Sequence, residues 1–318
     1  MKTFSIICLV LSSIGVLSSP FDGNTSEWTL DKRNVEPDQH FNPITDIVYH
    51  LFTRRNPTES QRITTNINTI LASNWNSDNA VRFLIHGHNS GVGSTFSTLI
   101  RDKLLANADR NVVVIDWSVG SNTRLYSTAR GRVGTAGVAV ANFIDELHRN
   151  GFVDFTQVHI IGHNLGAHVA GNAGKNVMRG RIQAIYGLDP AGGSFSAGDT
   201  DRLAFSDAVY TEGIHTNAGG NGFAEPITRA SFYPNWGASQ PGCGVDVSGN
   251  CAHERSILLY AESISSNRFV ARQCSGYQQI TARNCPGIGS GTMGGDTTKT
   301  LAGVYYLSTN SVSPFAQN

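Results

Sequence analysis

The sequence of 318 residues lacks an excess of charge of either sign, and it lacks long apolar runs beyond its N-terminus. Lysine plus arginine number 24 and aspartate plus glutamate also number 24, so the formal net charge is zero. Without a basic excess, the chain has no general electrostatic attraction to nucleic acid or to an anionic membrane. No run after the N-terminal one approaches the roughly 20 apolar residues that a transmembrane helix needs. We therefore expect no nucleic-acid partner and no transmembrane segment.

Motifs for cofactors and metals are also scarce. The stretch "GSGTMG" at residues 289–294 has the spacing of a dinucleotide-binding fingerprint, but it precedes the strand-like "LAGVYYL". That fingerprint requires a strand before it and a helix after it, so we interpret these residues as a surface loop. No pair of cysteines has the C-x-x-C spacing of common zinc sites. We expect no cofactor and no metal.

The N-terminus has the pattern of a secretory leader. A lysine precedes an apolar stretch that ends in small residues, which predicts a signal peptide over residues 1–18 and an extracellular product. Lys32 and Arg33 form a candidate dibasic processing site that would make residues 19–33 a prosegment, although they could equally be an ordinary solvated charge pair. Asn24 in "NTS" is the one glycosylation candidate, and cleavage after Arg33 would remove it.

Cysteines are few, and their number indicates disulfides. Of the five, Cys8 lies in the predicted signal peptide, which leaves Cys243, Cys251, Cys274 and Cys285. An even number in a secreted chain suggests two disulfides, and the sequence permits three pairings. The short separations favour Cys243 with Cys251 and Cys274 with Cys285, because each bond would close a small local loop.

Apolar, β-rich runs alternate with helix-like stretches through much of the chain. The strand-like runs are "AVRFLIHG", "NVVVIDW", "QVHIIG" and "IQAIYGLDP", and the helix-like stretches are "TFSTLIRDKLLAN", "RVGTAGVAVANFIDELHRNG" and "LGAHVAGNAGKNV". Strands that are apolar throughout and separated by helices indicate the α/β class, a mostly parallel sheet with helices on both faces. From about residue 225 we expect a loop-rich region that ends in the strand-like "LAGVYYLST". Without repeats or an interdomain linker, residues 34–318 are predicted to form a single domain.

The pentapeptide "GHNLG" at residues 162–166 joins a strand-like run to a helix-like stretch. A strand, a Gly-x-X-x-Gly turn and a helix form the frame on which α/β-hydrolases present a nucleophile, because the glycines permit a sharp turn. The central residue of this frame should be serine, but here it is Asn164. The amide nitrogen of asparagine is not nucleophilic and has no proton that a histidine base could usefully remove.

Two residues further along the chain match the remaining roles of a hydrolase triad, in the order nucleophile, acid, histidine. Asp189 ends the run "IYGLD", where a carboxylate could orient an imidazole. His253 lies two residues after Cys251, so a disulfide would restrict the loop that carries it. Asp-Pro is also a common turn initiator and a single loop histidine is often structural, so each residue alone is weak support. The chain order and the disulfide anchor together favour the catalytic interpretation.

These motifs belong to a series of segments that resembles the pancreatic lipase family, most closely its secreted insect lipases and phospholipases A1. The segments are "VRFLIHGH", "VVVIDW", "VHIIGHNLGAHVAGNAG", "IYGLDPAGG", "IHTN", "FYPNWGASQPGC" and "CAHERS". The resemblance implies an α/β-hydrolase fold with position 164 as the place of the nucleophile, Asp189 as the triad acid and His253 as the base. It also implies that the backbone N–H groups of His88 and Leu165 form an oxyanion hole, a role that does not depend on side-chain identity.

Three features depart from the family pattern. Asn164 stands where the family has serine, and no other G-x-S-x-G occurs in the chain. The loop between Cys243 and Cys251 holds only "GVDVSGN", where pancreatic-type lipases carry a much longer lid, so we expect an open site as in phospholipase A1 members. Because the chain ends at Asn318, we also expect it to lack the C-terminal β-sandwich domain of the pancreatic lipases.

The sequence leaves two functions open. The first is a secreted lipase-family protein that is catalytically impaired or silent because of Asn164, and that binds lipid, a lipid ester or another apolar ligand with transient contact to a lipid interface. The alternative is an active extracellular lipid esterase, a phospholipase A1 or neutral lipase. In that case Asn164 is a variant, since one base change converts a serine codon to an asparagine codon, or it is deamidated to an unconventional aspartate nucleophile. Bulky Leu165 and the reactive anhydride that a carboxylate nucleophile would form disfavour deamidation.

Overall fold

The computed structural model describes residues 37–317. The predicted signal peptide, the candidate prosegment with Lys32 and Arg33, and the glycosylation candidate Asn24 lie outside the described residues. Within residues 37–317, no helix combines the length and the apolar character that crossing a bilayer requires.

The described residues form eleven β-strands and nine α-helices. The strands are β1 (Val48–Phe52), β2 (Gln61–Ile63), β3 (Val81–Ile85), β4 (Asn111–Asp116), β5 (Val158–His163), β6 (Ala184–Leu188), β7 (Tyr210–Ile214), β8 (Ala230–Pro234), β9 (Val270–Cys274), β10 (Gly289–Thr292) and β11 (Gly303–Leu307). The helices are α1 (Pro43–Asp46), α2 (Ile67–Leu71), α3 (Thr95–Asn107), α4 (Ser118–Ser121), α5 (Tyr126–Gly131), α6 (Val133–Arg149), α7 (Leu165–Asn176), α8 (Asn250–Ser263) and α9 (Tyr277–Thr281).

All eleven strands join one sheet in the order β10-β9-β11-β8-β7-β6-β5-β3-β4-β1-β2. The central seven strands, from β11 to β4 in this order, are parallel to their neighbours, and the strands at both edges pair antiparallel. The predicted mostly parallel sheet is confirmed, and the family relationship reported below agrees with an α/β-hydrolase fold.

Helices cover both faces of the sheet because the central strands are apolar on both sides. Phe83 and Ile85 of β3 pack in one core cluster with side chains of α6 and α7. Leu84, between them, points to the opposite face and packs with side chains of α3 and α8. This alternation follows from the two-residue period of a strand, and it explains why β3 has apolar residues on both faces.

The last part of the chain is loop-rich and contains the predicted strand β11, but it also contains a 14-residue helix, α8, that the sequence analysis did not predict. The "GSGTMG" stretch supplies edge strand β10, paired antiparallel with β9, where we expected a surface loop. Both elements depend on tertiary contacts, since α8 buries His253, Arg255 and Ser256 beside its apolar residues, and β10 contains no strong β-former.

Both disulfides join the cysteines that the short separations favoured. Cys243 bonds to Cys251, with the Cα atoms 5.7 Å apart, and Cys274 bonds to Cys285, with the Cα atoms 5.2 Å apart. The first bond ends in the opening turn of α8 and the second ties the end of β9 to the loop before β10.

The strand order reverses next to β3, which lies between β5 and β4 although it precedes both. In open α/β sheets, ligands bind beyond the carboxyl ends of the strands at such a reversal, because the flanking loops diverge there. The segments after β3 and β5 are "HGH" and the turn around Asn164, so the topology brings two of the predicted motifs together.

Candidate active site

The turn between β5 and α7 has the strained geometry predicted for a nucleophile elbow. Asn164 has φ 55° and ψ −123°, a conformation that side-chain-bearing residues rarely adopt. A Cβ atom at Gly166 would lie 2.0 Å from the carbonyl oxygen of Ile85, and one at Gly162 would lie 2.3 Å from the carbonyl oxygen of Gly166. Helix α7 can therefore approach β3 and β5 this closely only because both positions are glycine.

The side-chain amide of Asn164 contacts two of the predicted site residues at once. Its Nδ2 lies 3.0 Å from Nε2 of His253, and its Oδ1 accepts a hydrogen bond from the backbone N–H of His88 at 3.2 Å. The orientation of the amide follows from chemistry, because a backbone N–H can only donate and must face the oxygen. Nδ2 then donates to His253, so Nε2 of that ring is unprotonated and Nδ1 carries the proton.

Asp189 completes the line of hydrogen bonds. It follows β6 with φ 39°, it is fully buried, and its Oδ2 accepts from Nδ1 of His253 at 2.6 Å. Its Oδ1 accepts from the backbone N–H groups of Thr216 at 2.7 Å and Asn217 at 3.0 Å. Three donors thus fix the carboxylate, which in turn fixes the tautomer and the orientation of the imidazole.

The two backbone groups predicted for an oxyanion hole lie on either side of Asn164. His88 follows β3 and reaches Asn164 because Gly87 has no side chain, since a Cβ there would lie 2.6 Å from Cβ of Asn164. Leu165 is the first residue of α7, where a backbone N–H has no acceptor within the helix. The His88 donor is engaged by the Asn164 amide oxygen in this structure.

His253 lies on a helix, and the sequence expectation of a loop is wrong. The residue occupies the first turn of α8, where its backbone N–H donates to the carbonyl of Gly249 at 2.9 Å. Cys251 precedes it by two residues and holds this turn to Cys243. A helical first turn supported by a disulfide restricts the imidazole more than a loop would.

A cavity of about 840 Å³ opens above these residues. Its wall combines the first residues of α3 and α5, the end of β5, one side of α8 and the loops that connect these elements. The lining residues are His88, Asn89, Ser90, Ser94, Thr95, Phe96, Tyr126, His163, Asn164, Gly193, Gly220, Asn221, Asn250, His253, Glu254 and Ile257. The volume lies within the range of small-molecule sites, about 300–1,000 Å³.

His163 packs directly against the ring of His253, with the centroids 4.5 Å apart. Burial and the positive charge that His253 can carry hold the pKa of His163 well below its ordinary value of 6.5. His163 therefore stays neutral at physiological pH and leaves His253 free of a second positive charge beside it.

Several residues of the site were missed by the sequence analysis. Thr216 and Asn217, which hold Asp189, lie in the "IHTN" segment that carried the family resemblance, and His163 lies in "GHNLG" itself. Tyr126 and Glu254 had no signal of their own. Glu254 can be assigned to the site only once α8 is known to be a helix that presents one side to the cavity.

The loop closed by Cys243 and Cys251 leaves the cavity open. Two of its side chains, Val245 and Val247, are 93% and 94% exposed, so they cover nothing. Asn221 of the cavity wall holds the end of this loop through Nδ2, which donates to the carbonyl of Ser248 at 3.2 Å. The open site expected from the short loop is what the structure contains.

Known proteins that this chain matches are lipases. A family model described as Lipase matches residues 12–315. Pancreatic triacylglycerol lipase of Myocastor coypus is 33% identical over 300 residues, which cover 84% of this chain and 65% of that protein. Lipase member H of Rattus norvegicus is 32% identical over 249 residues, which cover 76% of this chain and 54% of that protein. This chain therefore spans less than two thirds of the length of either relative.

Among solved structures, Est1E from Butyrivibrio proteoclasticus matches 45% of this chain and 46% of its own, with a TM-score of 0.30 and 12% identity. The family model covers far more of the sequence, from the N-terminal region through β11. The chain therefore belongs to the pancreatic lipase family of α/β-hydrolases.

Proposed function

We propose that this protein is an extracellular lipase-family protein that binds lipid esters and does not hydrolyse them. The observation that carries the proposal is the double contact of the Asn164 amide, which meets His253 through its nitrogen and the N–H of His88 through its oxygen. An amide nitrogen is not a nucleophile, and an amide oxygen bonded to His88 competes with a substrate oxygen for the same donor. In serine hydrolases, loss of the nucleophile lowers turnover by about 10⁶-fold.

The cavity supports lipid binding. Phe96 and Ile257 provide apolar wall, and the open mouth admits a ligand that extends into solvent. The matched relatives are named as lipases, which favours a lipid ester as the ligand class. The two disulfides support an extracellular location, because such bonds persist in oxidising compartments. We further propose that residues 34–318 act as one hydrolase domain, for which the single sheet gives support.

The test is the substitution Asn164→Ser, and the contacts from Asn164 to His253 and His88 and from His253 to Asp189 support the expectation that a hydroxyl at this position would be activated. We expect the Ser variant to hydrolyse a short-chain ester, a phospholipid or a triacylglycerol, and the native form to show almost no turnover. The matched control is Asn164→Ala, which also removes the amide but supplies no hydroxyl and should stay inactive. A folded Ser variant with no esterase activity would contradict the proposal that Asn164 is the reason why the protein does not hydrolyse esters.

The intact pair of His253 and Asp189 favours a second candidate, an active lipid esterase that uses Asn164 or a residue derived from it. The Nδ1 to Oδ2 distance of 2.6 Å and the two backbone donors to Asp189 are features that catalysis needs and ligand binding does not. This candidate predicts turnover by the native protein that disappears in His253→Ala. Such a result would replace the silent-protein proposal.

A further inference from the structure

Helix α8 presents one side to the cavity, and the first residues on that side are polar. Asn250, His253, Glu254 and Ile257 all line the cavity, and their spacing of i, i+3, i+4 and i+7 places them on one side of a helix. Glu254 is therefore directed to the same space as the proposed catalytic histidine.

Glu254 is the one carboxylate among the lining residues of this cavity, and no lysine or arginine lines it. The Glu254 side chain forms no hydrogen bond or ion pair with residues 37–317, and it is exposed in the cavity wall. The surrounding protein withdraws the carboxyl from water and raises its pKa, while His253 opposes that shift. An exposed carboxylate in a cavity lined by no lysine or arginine has no fixed cation beside it, so a positively charged ligand group can pair with it.

We propose that Glu254 makes the cavity select lipid esters whose headgroup carries a positively charged amine over lipid esters whose headgroup is anionic. This inference rests on the proposed lipid-binding function. The wall contains no guanidinium or ammonium to pair with an anionic headgroup, whereas an ammonium gains attraction to the carboxylate. Tyr126 also lines this cavity, and the π electrons of an aromatic ring attract an alkylated ammonium.

The experiment compares two lipids that share acyl chains and differ in headgroup charge. Binding of diheptanoyl phosphatidylcholine and diheptanoyl phosphatidylglycerol to the native protein is measured by calorimetry, with both lipids below the concentration at which they form micelles. We expect the choline lipid to bind about fivefold more tightly, the effect of one ion pair in a water-filled site. In Glu254→Gln the preference should disappear, while Glu59→Gln, a change at an exposed glutamate outside the cavity lining, should keep it.

Three outcomes would overturn the proposed headgroup selection. A further ligand, diheptanoylglycerol, distinguishes failure of this selection from failure of the proposed lipid binding. An unchanged preference in Glu254→Gln would show that the carboxylate does not select the headgroup. Tetramethylammonium chloride that binds as tightly as the choline lipid would show a simple cation site. Diheptanoylglycerol, which has no charged headgroup, reports on lipid binding alone. If it binds while the two phospholipids bind equally, only the headgroup selection fails, and if none of the three lipids binds, the proposed function fails first.

Discussion

At the scale of single residues, the elbow requires glycine at position 166. A Cβ there would lie 2.0 Å from the carbonyl oxygen of Ile85, whereas Gly134 occupies the same second position of α6 and a Cβ there would meet no atom within 4 Å. We expect Gly166→Ala to lower the free energy of unfolding by about 3 kcal/mol through overpacking. Gly134→Ala should raise it by about 0.5–1 kcal/mol, because alanine is the better helix former. Urea unfolding of both variants measures the two changes in the free energy of unfolding. Equal changes would contradict the requirement for glycine at position 166.

The predictability of site residues depends on how local their contacts are. Asn164 and Asp189 could be proposed from short motifs at the ends of recognisable strands, and His253 from its order along the chain and its position next to Cys251. The bond from His88 to the Asn164 amide joins residues 76 positions apart and exists because Gly87 permits a close approach. Nothing in the sequence near position 164 encodes that contact, so the engaged oxyanion donor could be found only from the structure.

At the scale of elements, the central sheet was predictable and α8 was not. Strands β3 to β6 are mostly apolar and almost wholly buried, which is typical of central parallel strands. Helix α8 buries Arg255, Ser256 and Ser263 together with its apolar residues, so its sequence shows little contrast between a buried and an exposed face. The sequence of α8 therefore has only a weak helical period, although this helix carries His253, the predicted triad base.

The two disulfides allow a matched test of how α8 is positioned. The loops are short, so removal of either bond, by Cys243→Ser with Cys251→Ser or by Cys274→Ser with Cys285→Ser, should cost about 2–3 kcal/mol of stability. Only the first bond ends in the turn of α8 that carries His253. We expect amide hydrogen exchange in residues 250–255 to accelerate in the first double variant and to stay near the native rate in the second. Acceleration in both variants would mean that the first bond has no special role in holding the turn.

At the scale of the whole molecule, buried histidines set the response to acid. His159, His163, His168 and His215 are each at most 5% exposed, and burial is the largest cause of a lowered pKa in all four. For His168 the pKa falls from the ordinary 6.5 to about 4. These rings bind protons more readily in the unfolded chain than in the folded protein, so acidification favours unfolding.

The sign of the pH dependence follows from that difference. Above about pH 6.5 these histidines are neutral in both the folded and the unfolded chain, so they do not reduce the free energy of unfolding. As the pH falls towards their pKa values in the folded protein, the free energy of unfolding decreases, and His168 alone accounts for about 3 kcal/mol of that decrease between pH 6.5 and 4. Asp207 and Glu254, whose pKa values burial raises, oppose this trend. The lowered pKa of Asp38, about 2, reduces the free energy of unfolding only at pH values near and below the ordinary aspartate value of 3.8.

We therefore expect the free energy of unfolding, measured with urea, to decrease steadily from pH 7 to pH 4.5. The slope should correspond to a net uptake of at least one proton on unfolding, since the four buried histidines and half-buried His50, whose pKa burial also lowers, act against two carboxyls. The variant His168→Gln should show a shallower slope, because it removes one of the groups that protonate on unfolding. Titration of the His168 ring protons by NMR tests the same point in the folded native protein, where they should shift only near pH 4. A stability that stays constant or rises between pH 7 and 4.5 would show that these rings are not held neutral by the fold.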